Sequence, residues 1–177
     1  MPETPFVEVL ALLLTDRGAR TRFFEDRRAY LTTESVTGED AETLLALDRE
    51  GLEAQAATLL GKRLHEASPL MPVTWGKLGG AARALFLAYA EITWPPEAHR
   101  QLADAARFCR LLEDRNDPRV DASELHRLEF AAHPEKRWSC RFVRVSDARG
   151  RQKTTLELRF RDRRGKLHAS ALYLALS

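Results

Sequence analysis

The last 41 residues, Arg137 to Ser177, constrain the fold more tightly than any other stretch. Leu156, Leu158 and Phe160 alternate with Glu157, Arg159 and Arg161. A period of two puts the apolar side chains on one face of a strand and the charged ones on the other. Trp138, Cys140 and Phe142 alternate in the same way before this run, and Leu172, Leu174 and Leu176 after it. Between the three runs stand two near-copies of one turn, Asp147-Ala148-Arg149-Gly150-Arg151 and Asp162-Arg163-Arg164-Gly165-Lys166. Aspartate at the first position and glycine at a left-handed position suit a type I turn closed by a glycine bulge. The stretch therefore reads as a three-stranded antiparallel meander.

Its charge separates it from the rest of the chain. Eleven Lys/Arg against Asp147, Glu157 and Asp162 give +8 here, and the whole chain is +2, so residues 1–136 carry −6. A basic sheet on an acidic body suggests an acidic peptide or a nucleic acid as partner. The alternative is a solvated outer face whose basic residues block edge-to-edge association.

Upstream, helical signals dominate. Thr4-Pro5 opens a first helix with Phe6, Val9, Leu10, Leu13 and Leu14 as its stripe. Thr15 or Asp16 caps a second stretch reaching about Tyr30, whose Arg17, Arg20, Arg22, Arg27 and Arg28 read as a solvated surface because acids are interleaved with them. Thr37 with Asp40 resembles a capping box. Asp48 starts the longest early helix, running to about Ala67, and Pro72 starts a short one ended by Gly79-Gly80. Helices through Leu85–Trp94, Glu97–Glu113 and Ala122–Ala132 complete a helical body. The expected class is α+β, a mostly helical N-terminal body followed by the meander. The polar stretch Asp114–Asp121 divides residues 1–116 from a module of helix and sheet at 117–177.

A chain of 177 residues with 44% hydrophobic and 31% charged residues has the composition of an ordinary globular protein. Cys109 and Cys140 make neither a disulfide framework nor a metal spacing. No run approaches the roughly 18 apolar residues of a membrane span, and the N-terminus lacks a signal-peptide pattern, so a cytoplasmic protein is expected. His65, His99, His126, His133 and His168 form no H-x-x-x-H or H-E-x-x-H pair. No phosphate loop or nucleophile elbow is present. The expectation is a chain that is not catalytic alone and binds no metal.

The motif order carries a likeness. Phe6-x-x-x-Leu10 is followed by Leu14-Thr15-Asp16 with Arg20-x-x-Phe23-x-x-Asp26, and then by Leu47-Asp48, Gly51-Leu52-x-x-Gln55-Ala56 and Leu59-Leu60-x-Lys62-Arg63. Pro72-x-Thr74-Trp75, Leu78-Gly79, Phe86-x-x-Tyr89-Ala90, Trp94-Pro95 and Asp104-Ala105-x-x-Phe108 come next. Over residues 6–112, and in having a basic C-terminal sheet, the chain resembles the partner subunits of multinuclear-iron oxidases in ribosomal-peptide natural-product pathways. The likeness is nearer to the subunit of the 3-thiaglutamate pathway than to that of the methanobactin pathway.

The resemblance implies a heterodimer. A separate barrel enzyme holds the iron, and this chain binds it and presents a ribosomally made precursor peptide for oxidative modification of a cysteine. Residues 1–116 would dock the enzyme, with Trp75 and Trp94 as candidate anchors, although large aromatics also pack in cores. Residues 117–177 would hold the peptide, which can add to a free sheet edge at 138–145 or 167–176. Arg159 and Arg161, projecting opposite Leu158 and Phe160, are the candidate charge contacts, with Arg141 and His168 beside them. The competing reading is a winged-helix-like nucleic-acid-binding regulator. The helix before the sheet opposes it, because Glu124 and Glu129 face a single Arg127 there, where a recognition helix should be basic.

Overall fold

A computed structural model describes residues 5–95, 100–146 and 152–173. Helices come first in the chain: α1 (Pro5–Thr15), α2 (Arg17–Glu25), α3 (Arg27–Thr33), α4 (Gly38–Leu45), α5 (Arg49–Ala67), α6 (Pro72–Leu78), α7 (Ala82–Ala90), α8 (Arg100–Asp114) and α9 (Ala122–Ala132). Strands β1 (Trp138–Ser146), β2 (Gln152–Arg161) and β3 (Leu167–Tyr173) follow, in the order β1-β2-β3 and antiparallel throughout. The α+β class and the meander are as the sequence pattern predicts. The first twin turn, Leu174 and Leu176, the opening Thr4, His99 and the start of the helix expected from Glu97 lie outside the described residues.

Two compact units form. One comprises Met1–Glu66 and Ala81–Pro96, the other Ala67–Gly80 and Glu97–Ser177. The sequence pattern divides the chain at 116/117, between a helical body and the module of helix and sheet; by contact, α6 and α8 group with α9 and the sheet.

The first unit has a core of Val9, Leu13, Ala19, Phe23, Leu31, Leu44 and Leu52. The segment expected as one helix to Tyr30 is two, because the Asp26 backbone is extended (φ −147°, ψ 92°) and its carboxylate accepts the Ala29 N–H at 3.0 Å, capping α3. Thr37 is the N-cap residue of α4 but its side chain makes no cap hydrogen bond, so the expected capping box does not form. Asp48 does cap α5, accepting the Gly51 N–H at 2.7 Å. Three arginines of α2 and α3 have intramolecular partners. Arg17 pairs with Glu91 at 3.2 Å, Arg20 donates to the Leu13 carbonyl, and Arg27 donates to the Leu45 carbonyl while covering the Phe24 ring. Trp94 is half-buried and lies under the Arg63 guanidinium, 4.9 Å from its ring centroid.

In the second unit, α6 begins at Pro72 and is capped from far along the chain. Glu124 on α9 accepts the N–H groups of Val73 (3.1 Å) and Thr74 (2.8 Å), two of the donors a helix start leaves unpaired. The Thr74 hydroxyl in turn accepts the Asp121 N–H at 3.1 Å, and Asp121 caps α9 through the Glu124 N–H. Met71, Leu78, Phe108, Cys109, Leu112, Leu125, Leu128 and Val143 are buried. Trp75 is half-buried.

Candidate functional site: the two faces of the sheet

The sheet is mounted with its charged face inward. Thr155 and Glu157 are 2% and 9% exposed, and Val143 of β1 is 1% exposed. The register places Val143 opposite Thr155 and Arg141 opposite Glu157, so these residues share one face. That face meets α9. The Arg159 guanidinium donates to the Ser123 carbonyl (3.1 Å) and pairs with Glu157 (3.0 Å). Arg161 donates to the Phe130 carbonyl (3.0 Å) and stacks over the Phe130 ring. Arg141 is held by Glu113 of α8 and Glu129 of α9, and Arg110 joins the same two carboxylates.

The outward charged face expected from the sequence is thereby corrected. Alternation separates two faces without saying which one finds a cover. Here α9 presents carbonyls, Ser123 and His126, which satisfy guanidiniums and a carboxylate but not leucines. Of the four expected peptide contacts, Arg141, Arg159 and Arg161 are tied into this inner layer. His168 lies on the other face, stacked on Phe160 with ring centroids 5.0 Å apart and pairing with Asp162 at 3.1 Å.

At the centre of the inner layer lies His126, 3% exposed. Its Nε2 is 2.9 Å from the Ser139 hydroxyl and its Nδ1 is 3.2 Å from the Glu157 carboxylate. Burial pushes the imidazole pKa down, and the Arg159 and Arg141 charges add to this, outweighing the hydrogen bond to Glu157. Burial works against the Glu157 anion too, but hydrogen bonds from Ser123, His126 and Arg159 hold its carboxyl below the usual range. A neutral ring that donates from Nδ1 to Glu157 and accepts from Ser139 satisfies both contacts. Hydroxyl, imidazole and carboxylate thus meet from β1, α9 and β2. No sequence spacing signalled this, because the three lie 13 and 31 residues apart from the histidine. In this position they clamp the sheet to α9.

The opposite face is apolar and uncovered by any described element. The register aligns Trp138 with Phe160 and His168, Cys140 with Leu158 and Ser170, and Phe142 with Leu156 and Leu172. Trp138 is 71% exposed, Phe142 65% and Leu172 54%. These are the residues the sequence reading left out of the site. Their signal is the alternation itself, which puts them on one face without saying what covers it.

One end of this face is strongly basic. The second twin turn forms as predicted, with the Gly165 N–H bonded to the Asp162 carbonyl at 3.0 Å and Gly165 at φ +78°. It exposes Arg163, Arg164 and Lys166 beside Lys136 and Arg137, and none of the five makes a salt bridge to a described residue. Nearby, Asp162 is engaged by His168 and by the N–H groups of Arg164 and Lys166, and Glu135 by His133. No group of three or more His, Cys, Asp or Glu side chains is arranged to hold a metal ion among the described residues, and no helix among them is long and apolar enough to cross a membrane.

A family model described as the SCO6045-like, C-terminal domain matches residues 45–114, from the end of α4 to the end of α8. The matched segment stops before α9 and the sheet. No curated protein and no solved structure matches the chain.

Proposed function

We propose that this chain is a non-catalytic, polypeptide-binding partner subunit, whose sheet presents a ribosomally made precursor peptide to a separate multinuclear-iron oxidase for oxidative cysteine modification. The observation that carries the binding half of this reading is the exposed apolar face around Trp138, Phe142 and Leu172 with its basic end. Monomeric proteins rarely leave a contiguous patch of large apolar side chains open to water unless something binds there. The cations at Lys136, Arg137, Arg163, Arg164 and Lys166 suit an acidic polypeptide. The oxidase half rests on the motif order over residues 6–112, and the iron would belong to the partner enzyme. The cytoplasm is the compartment this role requires.

Co-expression with the neighbouring genes, followed by pull-down through a tag on this chain, tests the reading. Co-purification of a coloured, iron-containing second protein is the expected result. Recovery of this chain alone overturns the oxidase half. The same five cations also favour a second reading, a nucleic-acid-binding regulator. It requires DNA affinity that falls steeply with salt.

A further inference from the structure

We infer that the apolar sheet face is a seat for one amphipathic α-helix of another polypeptide, with acidic residues at the helix end that lies over Arg137 and Arg163. The inference rests on the binding half of the reading above and needs no oxidase. Three observations carry it. First, the largest apolar side chains sit on the face of the sheet and include the central strand. A peptide added to the edge of β1 or β3 leaves Leu156, Leu158 and Phe160 of β2 uncovered, whereas an element layered on the face covers all three strands. Second, the dimensions fit a helix. Two strand spacings put β1 and β3 about 10 Å apart, and a helix with its side chains is about 10 Å across. The rows from Trp138 to Phe142 span about 13 Å, the rise of about nine helical residues.

Third, the described cations are concentrated at one end of the face, with Arg144 alone placed by the register on the same face beyond the Phe142 row. Lys136, Arg137, Arg163, Arg164 and Lys166 crowd the Trp138–Phe160–His168 row, while the middle row holds Cys140, Leu158 and Ser170. Acidic residues at a helix N-terminus are also favoured by that helix's own dipole. The expected occupant therefore enters N-terminus first over the basic end, with Glu or Asp in its first turn and an i, i+3, i+4, i+7 apolar stripe.

Cys140 reports on the seat. It is exposed in the middle of the face, whereas Cys109 is buried and burial pushes its thiol up to about 12. The test uses two synthetic helical peptides with the same leucine stripe, one with three glutamates in its first turn and the other with three lysines. The rate of Cys140 alkylation is followed as each is added, with far-UV circular dichroism of the mixture. The glutamate peptide is expected to slow alkylation at least tenfold, to gain helicity, and to bind at least tenfold tighter than the lysine peptide. A Trp138→Ser, Phe142→Ser variant is expected to lose that protection while keeping its own unfolding midpoint. Protection without added helix means strand addition and overturns the helical occupant. Equal protection by both peptides overturns the charge polarity. Protection by neither overturns the seat, and slow alkylation that depends on protein concentration alone assigns the face to a second copy. Failure here leaves the iron co-purification result standing, and the reverse holds.

Discussion

The Arg159 guanidinium and the Ser123 carbonyl meet at 3.1 Å, which turns the charged face of β2 toward α9 and leaves its apolar face to solvent. Had the strand slipped by one residue, Leu158 and Phe160 would have faced α9 instead. The ion pairs and main-chain contacts of Arg141, Arg159 and Arg161 therefore set the sheet's orientation.

Arg159→Ala is expected to destabilise the protein by about 3 kcal/mol, because it strips the buried Glu157 carboxylate of its ion-pair partner. Arg163→Ala, in the exposed turn, should change stability by less than about 0.5 kcal/mol. Urea unfolding followed by circular dichroism checks both. Equal small effects would mean that Arg159 is a surface residue after all.

Stability should fall as the solution is acidified from neutrality. Folded His126 takes up a proton less readily than its unfolded form, whose value is near 6.5. The unfolded state therefore gains protons first as pH drops through that value, and the folded state is disfavoured. Glu157 acts lower down, since its depressed carboxyl contributes above about 4.5 and loses that contribution only as pH falls through its folded value. Unfolding midpoints at pH 7.5 and 5.5 should differ in the wild type and differ less in His126→Gln.

Ser139 should be unreactive toward a fluorophosphonate probe, because its hydroxyl hydrogen-bonds to an imidazole that spans the interface between helix and sheet. Ser139→Ala is then expected to cost about 1 kcal/mol through a lost buried hydrogen bond. Stoichiometric labelling at Ser139, abolished by His126→Gln, would instead make the trio a nucleophile, base and orienting acid.

In the native protein one thiol, Cys140, should react with Ellman's reagent, and both should react in denaturant. Glu124→Gln is expected to cost about 2 kcal/mol by weakening two hydrogen bonds from the N–H groups that open α6.

Much of the fold was legible because local rules decide local structure. Pro72 at a first helical position, Asp48 as a cap and Gly165 in its bulge each needed only near neighbours. The alternation of Leu156, Leu158 and Phe160 with charged residues was equally local and located β2. The direction each face points was not legible, because it depends on what α9 offers 30 residues earlier in the chain. Arg159 looked like surface because a charged side chain is ordinarily solvated, and nothing local in Trp138 or Phe142 says that their face stays open. The meeting of Ser139, His126 and Glu157 is a product of packing alone.

The cap that Glu124 places on α6 has a consequence for synthesis. During translation α6 leaves the ribosome some 50 residues before its capping carboxylate, so its first turn must wait with open N–H groups. The strands that engage α9 are made later still. The capped first turn of α6 therefore cannot form until Glu124 has been made, and a polypeptide stalled before residue 124 carries an α6 without that cap.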